Sequence, residues 1–200
     1  MKKNILLCLF WGLLSVSCNE SEFLKESPED FMSSDNSYIT ATDFDMAING
    51  LYYTIRKEFY GVDENTPFDY IYGTDLIFDG EPGTSNRHGN MVAAYNPTGN
   101  IPKAHWDYLY KLISDANVII GRVAMADFTE EEKTQYVAKS RFFRGMAYRT
   151  LAYLYGGVPL VLEEVSTPKT DFVRATKEET LRQAMEDVKF AAENLPDITA

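Results

Sequence analysis

The stretch TEEEKTQYVAKSRFFRGMAYRTLAYLYGGVPL, residues 129–160, decides how the rest of the chain is read. Thr129 followed three residues later by Glu132 is a capping box, in which hydroxyl and carboxylate each satisfy a backbone N–H that the helix start leaves unpartnered. Gly156-Gly157 supplies the stop, because glycine takes the left-handed conformation that closes a helix, and Pro159 forbids continuation. The spacing therefore predicts a helix running to about Tyr155, with Val137, Phe142, Met146, Leu151, Leu154 and Tyr155 among its apolar positions.

Three further helices follow from the same kind of signal on either side. Phe44, Ile48, Leu51, Tyr52, Ile55 and Phe59 recur at spacings of three and four, with Thr42 and Asp45 as an N-cap pair. Trp106, Leu109, Tyr110, Ile113, Asn117, Ile120 and Ala124 fall on one side of a second helix. Thr176 and Glu179 form another capping box, opening a helix that carries Leu181, Ala184, Val188, Ala191 and Leu195 before Pro196. Together the four cover roughly 80 residues, well above the usual helical third, so the fold class is all-α with long irregular loops. Such helix pairs form either a bundle or a solenoid. Trp106-x-x-Leu109 with Ile113 is a faint tetratricopeptide echo, although Tyr110 stands where that pattern has glycine and no regular repeat period is present.

The chain has 200 residues, 30 acidic against 19 basic, for a net charge of −11. Such a surface repels a phosphate backbone and no basic stripe offsets it, which argues against nucleic-acid binding. Met1-Lys2-Lys3 and the apolar run from Ile5 to Val16 have the form of a secretory signal, residues 1–17, too short to span a bilayer. Leu14-Ser15-Val16-Ser17-Cys18 resembles a bacterial lipobox, which makes Cys18 the lipidation site; the other reading is ordinary cleavage near Ser17. Residues 18–41 then read as a polar tether docking through Phe23-Leu24 and Phe31, and 42–200 as the helical domain.

Residues 60–105 hold six glycines and four prolines, half of the chain's total, and predict a long surface excursion with a short strand at 68–78. Long ordered loops in compact domains are usually functional, so a ligand is sought here. Sugars need flat aromatic faces for their C–H surfaces and carboxylate, amide or guanidinium groups for their hydroxyls. Tyr70, Tyr72, Phe78 and Tyr95 lie beside Asp75, Asp79, Asn86, Arg87, His88 and Asn90; the set chosen is Phe78, Asp79, Arg87, His88 and Asn90. The aromatics are no denser here than the chain average of 14%, which favours loop packing for any one of them. Catalysis has thin support: only His88 and His105 are present, and neither a G-x-S-x-G nor an H-E-x-x-H motif occurs. Asp75 and Asp79 do not stand out as a hydrolytic carboxylate pair in so acidic a chain, where sequence does not give their separation, and Asp75, Asp79 and Glu81 lack the spacing of an EF-hand Ca²⁺ loop. No metal or cofactor is expected, and the protein is read as a binder, not an enzyme.

Several of these segments come in an order that resembles a known family. They are Phe23-Leu24 with Pro28, Trp106 with Ala116-Asn117, Ala138-x-x-Arg141-Phe142-x-Arg144-x-x-Ala147-Tyr148, Tyr155-Gly156-Gly157-Val158-Pro159-Leu160, Phe172-Val173-Arg174-Ala175-Thr176, and Asp187 through Leu195-Pro196. The whole resembles the N-terminal part of the SusD/RagB family of outer-membrane nutrient-binding lipoproteins. The resemblance implies a scaffold of tetratricopeptide-like helix pairs, an outer-membrane lipid anchor facing the cell exterior, and an oligosaccharide ligand. It also implies a TonB-dependent, SusC-like barrel as partner, and a C-terminal half beyond Ala200. Family members that bind glycans carry stacking tryptophans near the 60–105 region, whereas this chain has none between Trp11 and Trp106. A surface glycoside hydrolase and a helical scaffold with no small-molecule site are the alternative functions. Arg141 and Arg144 are expected to pair with Asp115 or Asp187 and lock helices, Trp106 to pack in the core, and Asn117 to hydrogen-bond between helices.

Overall fold

The computed structural model describes residues 37–60, 69–71, 74–77, 96 and 100–197. Four helices occur among them: α1 (Ala41–Tyr60), α2 (Asn100–Val123), α3 (Glu130–Tyr155) and α4 (Lys177–Asn194). The architecture is helical, as expected, and α3 is its centre, packing against all three others. None of these helices is long and apolar enough to cross a membrane.

Both capping boxes read from sequence are present: Thr129 accepts from the Glu132 amide and Thr176 from the Glu179 amide, with the carboxylates returning to the cap backbones. The α1 cap differs. Thr40 and Asp43, not Thr42 and Asp45, make the reciprocal pair, with the Thr40 amide donating to Asp43 Oδ2 at 2.7 Å. Asp45 instead accepts from the Tyr136 hydroxyl on α3 at 3.0 Å, which ties the first helix to the central one. The helix α2 starts at Asn100, so residues 100–105 belong to it and not to the irregular stretch. Nor is there a strand in the described part of 68–78: Thr74 donates back to the Ile71 carbonyl, a turn that extended backbone cannot make.

The core is Phe44, Ile48 and Leu51 of α1, Leu109, Leu112, Ile113, Ala116, Ile119 and Val123 of α2, and Phe143, Ala147, Tyr148 and Leu151 of α3. Around Phe44 the rings of Tyr38, Phe128 and Tyr136 gather with centroids 5.2–5.4 Å away. The buried face of α3 is rotated from the one read by hydrophobicity. Phe142 and Leu154 are exposed, whereas Ala138, Ser140, Gly145 and Ala152 are buried. A helix enclosed on several sides needs small residues where neighbours come close, and that blurs its apolar stripe. At Gly145 a Cβ would lie 2.9 Å from the Ala184 carbonyl oxygen of α4, so glycine sets the separation of these two helices.

After α3 the chain turns through Gly156, whose φ of +79° is open to glycine and strained for side-chain-bearing residues. Residues 158–165 then cross α2 and α3 as an irregular strap with a bend at Glu163. Pro159 and Arg174 form an antiparallel bridge, and the Ala175 amide donates to the Val158 carbonyl at 3.1 Å. This crossing is so close that a Cβ on Gly157 would fall 1.9 Å from the Ala175 carbonyl oxygen. Arg174 donates to the Gly157 and Tyr155 carbonyls, satisfying acceptors that the end of α3 leaves bare.

Candidate functional site

Phe78, Asp79, Arg87, His88 and Asn90 lie outside the described residues, as do Cys18, Glu81, Tyr72, Asn86 and Tyr95. Of the wider set, Asp75 is exposed, and Tyr70 is half-buried. Tyr70 is not a free sugar platform: its ring stacks on Phe59 at 5.3 Å and its hydroxyl donates to Glu58.

That bond is one part of a buried cluster at the root of the 61–99 stretch. Glu58 sits in the last turn of α1, His105 near the start of α2, and Asp69 and Tyr70 in the short turn between them. His105 Nδ1 lies 2.6 Å from Glu58 Oε1 and Nε2 lies 3.2 Å from Asp69 Oδ2. All three side chains are almost fully buried. Burial opposes a charged imidazole, but the hydrogen bonds to Asp69 and Glu58 and the charges of both outweigh it and raise the His105 pKa to about 9. Burial together with Glu58 pushes the Tyr70 hydroxyl upward, so it stays a donor. With both ring nitrogens of an imidazolium committed as donors, neither is available as a base. The cluster joins α1, α2 and the intervening turn through hydrogen bonds that engage both ring nitrogens. Glu58 Oε2 is buried with no hydrogen-bond partner among the described residues.

Sequence reasoning passed over this cluster because it weighed His105 only as a catalytic residue. The signal was the helical spacing Ile101, His105, Leu109, Leu112, which puts a titratable ring on the buried face and demands a partner.

The second polar constellation holds the strap. Asp187 of α4 is fully buried and accepts from Arg141 Nε at 2.7 Å and from Arg144 Nε and Nη2 at 2.8 and 2.9 Å. Asp187 is thus the expected carboxylate partner; Asp115 is engaged by Lys111 on the surface. Arg144 Nη1 reaches on to the Asn117 side-chain oxygen and the Leu162 carbonyl. Asn117 Nδ2 donates to the Val161 and Glu163 carbonyls, so its partners are strap backbone as well as a helix. Tyr148 donates to the Val161 carbonyl and accepts from its amide, Tyr110 donates to the Pro159 carbonyl, and Arg122 pairs with Glu164. Trp106 packs edge-on against Tyr155 at the rim of the core, as expected for a packing residue. The strap and the chain after it, residues 160–172, surround an open hollow of about 380 Å³. Among the described residues no group of acidic, histidine or cysteine side chains is arranged to hold a metal ion.

Asn117, Arg141, Arg144, Tyr148 and Asp187 of this arrangement are among the residues that carried the family resemblance, and comparison with known proteins agrees. Residues 22–200 match the SusD-like family described as starch-binding and associating with the outer membrane. The SusD-like proteins P2 and P25 of Formosa agariphila are 28% and 26% identical to the chain, each over 98% of it. The chain spans less than two fifths of those relatives, 39% and 38% of their lengths. A SusD superfamily protein from Bacteroides vulgatus superposes with a TM-score of 0.72 at 21% identity, covering 82% of this chain and 36% of that one. A laminarin-binding SusD-like protein gives 0.70 at 24% identity with the same coverage. At those identities the solved structures establish the shared helical fold, and the match over nearly the whole sequence establishes the lineage: the chain belongs to the SusD-like family.

Proposed function

We propose that the protein is a non-enzymatic binding lipoprotein of the outer membrane, facing the cell exterior, which captures an oligosaccharide and passes it to a TonB-dependent, SusC-like barrel. The observation that carries this reading is the family match from residue 22 to residue 200, which includes every residue of the strap network. Fold neighbours support a sugar as ligand: one is described as laminarin-binding, and another, with a TM-score of 0.51 at 20% identity, was solved with a xylogluco-oligosaccharide. Phe78, Asp79, Arg87, His88 and Asn90 combine an aromatic face with carboxylate, guanidinium, imidazole and amide groups, and are proposed as ligand contacts. Capture needs only a preformed site, and nothing in it requires a reacting group.

Titration calorimetry of the intact protein against a panel of plant and algal oligosaccharides tests the ligand class. Saturable heat with at least one glycan that mass spectrometry then finds uncut is the expected result. Cleaved products would replace the reading with that of a glycosidase, and silence across the panel would favour a scaffold. Anchoring is tested separately. The apolar run followed by Cys18 supports thioether lipidation there, with residues 1–17 removed as signal and 18–41 as tether. Cys18→Ser should shift the protein from the outer-membrane pellet to the soluble fraction; a variant that still pellets overturns the anchor.

A further inference from the structure

We propose that the hollow enclosed by residues 160–172 is a carbohydrate-contacting subsite, separate from the 78–90 stretch and built on the strap. The proposal rests on the reading of the protein as a glycan binder and adds a second place at which the glycan is held.

The strap behind the hollow is fastened to the helices beneath it. Strap residues Pro159, Val161, Leu162 and Glu163 each give a backbone carbonyl to a side chain of α2 or α3, and Arg122 fixes Glu164 from α2. A surface held this way loses little freedom when a ligand arrives, so contact energy is not spent on ordering the protein. The volume, about 380 Å³, lies within the range of small-ligand clefts, and the hollow is partly open, as a segment of a longer chain would require.

Its lining is amphipathic in the manner that a pyranose needs. Leu162 and Phe172 are large apolar side chains left 39% and 45% exposed, which puts part of a flat ring at the solvent boundary. Such a ring offers a face to the axial C–H groups of a sugar. Around it stand the Glu163 carboxylate, the Ser166 and Thr167 hydroxyls and the Lys169 ammonium, all on exposed residues. The Glu163 carboxylate and both hydroxyls have no hydrogen-bond partner among the described residues, so they can accept and donate to sugar hydroxyls without breaking a bond of the fold. The Lys169 ammonium lies 5.5 Å from the Phe172 ring centroid, close enough to bridge ring and ligand. One ammonium beside one free carboxylate leaves no strong single-sign field, which suits a neutral polyhydroxyl ligand better than a phosphate or a uronic acid. A purely apolar partner segment would leave those polar groups stranded, which is why a sugar is chosen over a protein.

The test uses the intact protein with laminarihexaose, a β-1,3-linked glucose oligomer, followed by calorimetry and hydrogen exchange. The expected result is saturable heat, slowed exchange in peptides covering 160–172, and a dissociation constant raised about tenfold in Phe172→Ala, the weight of one buried aromatic face. Lys169→Ala, which removes an exposed ammonium and keeps the ring, should weaken binding less and leave the melting temperature unchanged. If laminarihexaose binds but Phe172→Ala matches the wild type and 160–172 gains no protection, the subsite is wrong while the glycan-binding reading stands. If no oligosaccharide of the calorimetry panel binds, both fail together.

Discussion

At the scale of single residues, His105 makes the sharpest claim. Its folded pKa, about 9, is higher than the ordinary imidazole value of 6.5, so the folded state holds the proton more tightly than the unfolded chain does. The sign follows: the stabilisation is fully present below about pH 6.5 and is lost as pH rises through about 9. Thermal melts of the wild type and His105→Gln across this interval should show a gap that is widest at the acid end and narrows toward the alkaline end. A gap that stays constant would mean that the ring contributes by packing alone. Asp187 gives a second prediction. Replacing it with alanine leaves Arg141 and Arg144 facing each other with no counter-charge, and breaking a buried pair in this way costs about 3–5 kcal/mol. Denaturant unfolding of Asp187→Ala should register a loss of that order, whereas Asp115→Ala, whose partner Lys111 is solvated, should change little.

At the scale of elements, close approach is what the helices cannot give up. Gly145→Ala sets a methyl group 2.9 Å from both the Ala184 carbonyl oxygen and Val188 Cγ2, so α3 and α4 must part. The cost of such overpacking is about 1–3 kcal/mol, read as a lowered midpoint in urea. Thr176→Ala removes a cap and should cost about 1 kcal/mol, with no effect on the spacing of the helices. The contrast between these two sites also shows what the sequence made legible. Capping boxes are local: Thr129 with Glu132 and Thr176 with Glu179 are fixed by a three-residue spacing, and both were read correctly. At α1 the same rule was applied two residues too late, because Thr40 and Thr42 are equally good caps in isolation and only the Asp45 bond to Tyr136 separates them. The packed face of α3 was missed for a different reason. Its buried positions include Arg144, Ser140, Gly145 and Thr150, chosen to meet partners distant in sequence, and hydrophobicity cannot register that. That Arg141 and Arg144 need carboxylate partners was legible because two charges stand among apolar residues, but sequence left Asp115 and Asp187 both open, and only the fold selects Asp187. The His105 cluster joins residues up to 47 apart, and no local pattern announces it.

At the scale of the whole molecule, the order of packing sets an order of exchange. Helix α3 touches every other helix and carries the residues that hold the strap, so it should open last. In native-state hydrogen exchange, amides from Phe143 to Leu151 are expected to be the slowest, and those at the exposed start of α1 and the end of α4 among the fastest. Equal protection across the four helices would contradict a fold organised around one central element. The joints between α2, α3, α4 and the strap lie behind the hollow, and of its lining Glu164 takes part in them through Arg122.

The Tyr148 hydroxyl both gives a hydrogen to Val161 and takes one from it, as a neighbouring β-strand would. A phenol thus acts as a one-residue surrogate for a sheet. A backbone amide turned toward the interior must find an acceptor there, and at Val161 a side chain supplies it in place of a paired strand. Phenylalanine at position 148 would keep the ring but leave the Val161 amide without its acceptor beside a fully buried side chain, so one oxygen atom decides whether that amide is satisfied.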